Sequence, residues 1–168
     1  MAKVEPGRKV PDFLLPASGG GQLFATGDAT WRLKDALART RKGGGLVLYF
    51  YPKDMTSGCT LEAQAFRDLY PKFKRAGVEV VGISRDTVKS HEKFCQKENL
   101  PFPLLSDADE AVCKLFDVIR EKTLYGRKYM GIERSTFLLD AVGVLKREWR
   151  KVKVDGHAEE VLEAAKSL

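Results

Sequence analysis

Hydrophobic positions along this chain fall into short blocks whose period changes, and each change marks an element. Leu46 to Tyr51 is an unbroken apolar run rich in aromatics, closed by Gly43, Gly44 and Gly45 before it and Pro52 after it. That pattern predicts a strand buried on both faces. Pro52 cannot donate to a ladder, and Lys53, Asp54, Thr56, Ser57 and Gly58 favour a loop, so the strand stops there. From Thr60 the period becomes helical, with Leu61, Ala65 and Leu69 recurring, and this helix is expected to end near Ala76 and Gly77. Val78 to Ser84 predicts a second apolar strand, and Thr87 to Asn99 a helix. Leu104 and Leu105 read as a short strand closed by Ser106, and Asp107 and Asp109 favour another helix start, with Val112, Leu115 and Phe116 facing inward.

Beyond this point the pattern changes. Ser135 to Leu139 and Val144 to Trp149, separated by Asp140 to Gly143, predict an antiparallel hairpin, and His157 to Leu168 an amphipathic helix with Val161, Leu162 and Ala165 on one stripe. Residues 1–30 carry less signal: Pro11, Pro16 and Gly19 to Gly21 punctuate Phe13 to Leu15 and Leu23 to Phe24, which are expected to pair as an edge hairpin. Trp31 to Leu37 predicts a short helix. Alternation of strand and helix implies a mostly parallel sheet covered on both sides, with the late hairpin making it mixed. No internal repeat or linker divides the chain, so residues 1–168 are expected to form one domain.

Composition narrows the functional classes. With 168 residues, 43% hydrophobic and 31% charged, the chain can fill one core. A formal charge of +6 would suit nucleic acid or an acidic membrane, but the basic residues are dispersed and read as a solvated surface, so no nucleic-acid partner is expected. The segment MAKVEPGRKVPDF lacks the apolar core of a signal peptide, and no run approaches the ~20 apolar residues of a membrane span. A cytoplasmic protein without a membrane partner is the expectation. Three cysteines, an odd number without a secretory signal, point to thiol chemistry rather than a disulfide framework.

Cys59 falls in the first turn of the helix that follows the central strand. Unpaired N–H groups and the positive end of the helix dipole favour a thiolate there. The dipole supplies at most ~2 kcal/mol, against about 1.36 kcal/mol per pKa unit. A cation has to help.

Pro52, Thr56 and Cys59 stand in the order P-x-x-x-T-x-x-C after an aromatic-rich strand, and this resembles the active-site signature of the peroxiredoxins. Within them, YFYPKDMTSGCT resembles the bacterioferritin-comigratory, or peroxiredoxin Q, branch, and GISRDTVKSHEKF and IERSTFLLD extend the likeness. Ser57 departs from it: the family usually has Pro there, which fixes the loop entering the helix. The resemblance implies an α/β, thioredoxin-like fold with an N-terminal extension and a mixed sheet flanked by helices. It implies that Cys59 is the nucleophile toward peroxide, that Thr56 and the backbone N–H groups of Gly58 and Cys59 are donors, and that Arg134 is the required cation. Glu62, one turn beyond Cys59, either orients Arg134 or is a solvated helix carboxylate.

Attack on peroxide leaves a sulfenic acid on Cys59, which a second thiol must capture before over-oxidation. Many members of the branch carry that thiol on the same helix, at the position that is Gln64 here. By resemblance the role passes to Cys95, although Val88 and Phe94 near it also suit a packed core thiol; Cys113, beside Val112 and Phe116, reads as core. A disulfide requires Cα atoms about 4.4–6.8 Å apart. Two thiols on separate packed helices will usually sit farther apart, so the turn at Cys59 and the helix around Cys95 are expected to unravel on oxidation. Thioredoxin or a similar dithiol reductant would then reopen the bond.

No cofactor motif is present, and His91 and His157 are too few and too far apart to suggest a metal site with these cysteines. A disulfide oxidoreductase would need C-x-x-C, but Glu62 occupies the second position, and Ala65 stands where a cysteine phosphatase carries its arginine. A one-cysteine peroxidase and a redox sensor of the same fold remain open, as do monomer and weak dimer.

Overall fold

The computed structural model describes residues 4–19 and 29–168. In chain order they form β1 (Leu14–Gly19), β2 (Thr30–Arg32), α1 (Leu33–Ala38), β3 (Gly45–Phe50), α2 (Ser57–Arg75), β4 (Val78–Ser84) and α3 (Val88–Glu98). There follow β5 (Pro103–Ser106), α4 (Ala111–Leu115), β6 (Ile119–Leu124), β7 (Arg127–Ile132), β8 (Ser135–Asp140), β9 (Leu145–Trp149) and α5 (His157–Ala165). Seven strands make one sheet in the order β2-β1-β5-β4-β3-β8-β9, and β6 and β7 pair separately. This is the mixed sheet with flanking helices of a thioredoxin-like fold.

Every residue of β3 is buried, and the strand lies inside the sheet between β4 and β8. Alternation along it feeds two apolar layers. Leu46, Leu48 and Phe50 pack with Leu33 of α1, Val112 of α4, Phe116 and Phe137. Val47, Tyr49 and Tyr51 pack on the other side with Phe66 and Phe73 of α2, Phe94 of α3 and Val161 of α5. Each such side chain, fully buried, contributes roughly 1.5–3 kcal/mol. The antiparallel register pairs Phe50 with Ser135. Arg134, immediately before β8, therefore stands beside the junction where β3 gives way to α2.

Several elements differ from the sequence reading. Only β3–β4 and β4–β5 are parallel; β1 joins β5 antiparallel and β8 joins β3 antiparallel, so the sheet is not mostly parallel. The predicted edge hairpin has another second strand: Leu14, Leu15 and Pro16 pair with Arg32, Trp31 and Thr30, while Leu23 and Phe24 lie outside the described residues. Trp31 consequently sits in a strand, and the helix begins at Leu33. Helix α2 begins at Ser57, three residues before the helical period, and its buried stripe is Cys59, Glu62, Ala63, Phe66 and Phe73. Leu61 faces solvent. The hairpin β6–β7 was not anticipated.

Candidate active site

The loop from Pro52 to Thr56 delivers Cys59 to a defined place. Met55 has φ +61°, a left-handed conformation that side chains rarely adopt. Thr56 is extended (φ −84°, ψ 158°) and is the N-cap of α2, yet its hydroxyl donates to the Lys53 carbonyl at 2.8 Å and leaves the helix N–H groups uncapped. The oxygen's lone pairs remain free to accept. Cys59 is the third residue of the helix, and the N–H groups of Ser57, Gly58 and Cys59 belong to the turn with no intrahelical acceptor. Its side chain is 2% exposed.

Arg134 bridges two groups of this helix. Nη1 donates to Glu62 Oε1 at 2.7 Å, and Nη2 donates to Cys59 Sγ at 3.5 Å, a charge-assisted contact that favours negative charge on sulfur. Glu62 is 1% exposed, so of the two alternatives for this residue the structure has the buried one, paired with Arg134. Burial pushes the Glu62 carboxyl up to about 7 against the pull of Arg134, and Oε2 has no hydrogen-bond partner. Burial works against the Arg134 charge, but Glu62 and Cys59 hold the guanidinium more firmly protonated than usual. Gly58 makes room for it: a Cβ there would lie 3.2 Å from Nη2. Lys122 is a further cation near this group; burial, then Arg134, lowers its pKa, while Cys59 acts the other way.

Cys95 lies on α3 in the same apolar layer as Cys59, and both thiols are free. It is 7% exposed, and burial pushes its thiol up to about 12; Asp54 adds to this and the Ser18 hydroxyl opposes it. Cys113 is fully buried in the opposite layer, where burial and Asp107 raise its thiol far above the usual range. Gln64 donates to Glu98 Oε1 and Arg67 to the Glu98 carbonyl, both at 2.8 Å, so the helix carrying Cys59 is tied to the end of the helix carrying Cys95.

The two histidines are both structural neighbours of this layer. His157 Nε2 lies 2.8 Å from the Thr136 hydroxyl, and burial pulls its imidazole down to about 4. His91 is buried against Asp54. Asp54, Asp86 and His91 form the one group among the described residues with metal-site spacing, their ligand atoms lying within 4.8 Å of one another. Each is already engaged by protein: Asp54 by Tyr51 and Ser90, Asp86 by Ser84, and His91 by the Leu105 carbonyl. The donor set reads as a hydrogen-bond network.

The sequence profile of the AhpC/TSA family matches residues 6–148. The chain belongs to this peroxiredoxin family. Peroxiredoxin Bcp of Xanthomonas campestris is 56% identical over 129 residues, covering 77% of this chain and 81% of that protein. Peroxiredoxin Bcp of Bacillus subtilis is 45% identical over 165 residues, covering 98% of this chain and 97% of that protein. A structure of the Xanthomonas campestris bacterioferritin comigratory protein, from a study of its alkyl peroxide reduction, superposes with a TM-score of 0.79 at 48% identity, covering 92% of this chain and 90% of that one.

This peroxiredoxin is a thiol peroxidase. The candidate site is compact: one thiol, one guanidinium and one carboxyl, with helix N–H groups at the same end. Sequence reasoning missed Lys122, because the charged hairpin that carries it shows no apolar alternation. No helix of the described residues is long and apolar enough to cross a membrane.

Proposed function

We propose that Cys59 reduces peroxides by a two-cysteine cycle completed within one chain. The Cys59 thiolate attacks one oxygen of R–O–O–H; the S–O bond forms, the O–O bond breaks, and the departing RO⁻ takes a proton to leave as ROH. Sulfur is oxidised to a sulfenic acid and the peroxide is reduced by two electrons. Arg134 favours the thiolate and holds the peroxide, the N–H groups of Gly58 and Cys59 and the Thr56 hydroxyl complete the cradle, Pro52 fixes the loop, and Glu62 orients Arg134. The observation that carries this reading is the double contact of Arg134, with Nη1 on Glu62 and Nη2 on Cys59.

Cys95 then attacks the Cys59 sulfur; a disulfide forms and water leaves, carrying the sulfenic oxygen and the thiol proton. In the folded state Cys95 is a poor nucleophile, since burial holds its thiol up to about 12. Opening α3 both brings the two sulfurs together and returns Cys95 to water, where its thiolate is accessible. Thioredoxin or a similar cytoplasmic dithiol reductant next exchanges with the disulfide and leaves oxidised itself.

The same burial of Cys95 favours a second reading, in which an external thiol resolves Cys59 and Cys95 stays a core residue. A peptide map under non-reducing conditions after one equivalent of hydrogen peroxide separates them. A linked pair containing Cys59 and Cys95 is expected. Cys59 recovered only as sulfenic or sulfinic acid would assign resolution to an external thiol.

A further inference from the structure

Between the Cys59 loop and the Cys95 helix lies a buried polar cluster that the peroxide chemistry does not use. Asp54 is 4% exposed and His91 fully buried. Tyr51 OH donates to Asp54 Oδ1 at 2.5 Å, Ser90 Oγ donates to Oδ2 at 2.8 Å, and His91 Nδ1 lies 2.7 Å from Oδ2. The other ring nitrogen, Nε2, faces the Leu105 carbonyl at 2.9 Å and must donate to it. Nδ1 and Oδ2 are thus the polar contact that joins the α3 imidazole to the loop carboxylate, at hydrogen-bond distance and away from water. The backbone N–H of Asp54 donates to Asp86 Oδ2 at 2.9 Å, and Ser84 at the end of β4 holds that carboxylate.

These bonds converge on the strained part of the loop. Asp54 directly precedes Met55, whose φ of +61° has to be maintained by its surroundings. Thr56 and the first turn of α2 follow at once. On the other side, α3 has four buried residues, His91, Phe94, Cys95 and Glu98, of which only Phe94 is a large apolar anchor. Little hydrophobic area holds this helix in place, so its polar contacts decide how easily it opens.

We propose that Asp54 and His91, with Tyr51 and Ser90, form a clamp that holds the Cys59 loop and the Cys95 helix as one folded unit. These are positioning residues: the rate at which the clamp opens sets the rate at which Cys95 reaches oxidised Cys59. A closed clamp keeps Cys59 in its cradle for attack on peroxide but leaves the sulfenic acid waiting, exposed to a second peroxide. The proposal rests on the reading of Cys95 as the resolving thiol for its kinetic consequence, while the joint opening of loop and helix stands apart from that reading.

The test uses His91→Asn and Tyr51→Phe in the full chain; the latter keeps the ring and removes one hydroxyl, so it retains the packing of β3. Hydrogen exchange of the reduced protein is expected to quicken about tenfold or more in residues 52–57 and 88–98 together, with α5 unchanged. After peroxide, the Cys59–Cys95 link should form faster by a similar factor, and less Cys59 should be recovered as sulfinic acid at a given peroxide concentration. Val161→Ala, which removes packing from α5, controls for a general loss of stability. The clamp is refuted if substitution on α3 leaves exchange of residues 52–57 unchanged, or if Val161→Ala speeds disulfide formation as much as His91→Asn. It is also refuted if the helix loosens without faster linkage in a protein that does form the bond. Should the unsubstituted protein form no Cys59–Cys95 link, the resolving role of Cys95 has failed, and joint exchange of the two segments still decides the clamp.

Discussion

Replacing Glu62 by glutamine tests whether a carboxyl paired with arginine is nonetheless held neutral by burial. Its carboxyl is 1% exposed, Arg134 engages one oxygen at 2.7 Å, and the other oxygen has no partner. Burial lifts the group from 4.5 to about 7. The folded protein thus retains this proton up to about pH 7, whereas the unfolded chain releases it near 4.5. Within that window the folded state binds more protons, so stability falls as pH rises, and the loss is complete above pH 7. At about 1.36 kcal/mol per pH unit, the whole effect is about 3 kcal/mol. Glutamine keeps an oxygen for Arg134 and cannot ionise. The stability of Glu62→Gln relative to the parent should therefore climb by about 3 kcal/mol between pH 4.5 and 7, then level off. Urea unfolding of the reduced proteins, followed by tryptophan fluorescence, measures that difference. A difference that stays constant with pH would show that Arg134 overcomes burial and that Glu62 is ionised throughout.

His157 carries the opposite dependence. Burial lowers its imidazole from 6.5 to about 4, so stability falls as pH drops through that interval, and His157→Gln should remove a loss of about 3 kcal/mol in the same urea assay. Arg134→Met should lower the second-order rate of Cys59 with peroxide about 10²–10³-fold in stopped flow; Arg134→Lys should recover only part, because one ammonium cannot span Glu62 and Cys59. Gly58→Ala places a Cβ 3.2 Å from Nη2, and the displaced guanidinium should slow the same reaction several-fold with little change in urea stability. Ser57→Pro puts proline at the first position of α2, after an extended Thr56 with ψ 158°, and should raise stability by about 0.4–1 kcal/mol.

What was legible in the sequence is what local pattern controls. The apolar run of β3, the loop residues after it and the helical period behind it place Cys59 in a first helical turn, because neighbours in sequence decide all three. Pairings between distant segments were not legible. β1 carries the same short apolar run whether its partner is Leu23–Phe24 or Thr30–Arg32, and only the folded sheet adds β5 on its other edge. The hairpin β6–β7 was invisible for a different reason. Its strands are largely exposed and charged, and the turn uses Tyr125 and Gly126, both at positive φ, where the strong sequence signal would be Asn-Gly. For Glu62 the sequence left a partner of Arg134 and a solvated helix carboxylate equally open, because the cation that permits its burial stands 72 residues away, before β8. Asp54 likewise read as a loop former, since its partners come from α3.

The two faces of the sheet differ in how completely their buried polar groups are satisfied, and this bears on which one would open in the proposed cycle. The layer with Leu46, Leu48 and Phe50 is closed by α1 and α4; its Cys113 is held as a thiol by burial and by Asp107, a buried carboxylate that the Val112 and Cys113 N–H groups satisfy. The layer with Cys59 and Cys95 contains all three buried side-chain oxygens that lack partners among the described residues: Ser18 Oγ, Tyr49 OH and Glu62 Oε2. Tyr49 belongs to the same cluster as the two cysteines, Ser18 approaches Cys95 closely enough to favour its thiolate without forming a sound hydrogen bond, and Glu62 lies one helical turn from Cys59. Each unsatisfied group costs roughly 1–3 kcal/mol while it stays dry. Opening this side returns that energy as water reaches the oxygens, which offsets part of the apolar area exposed. If the proposed cycle opens the protein, the face carrying Cys59 and Cys95 is therefore the one where opening recovers the most from unsatisfied oxygens.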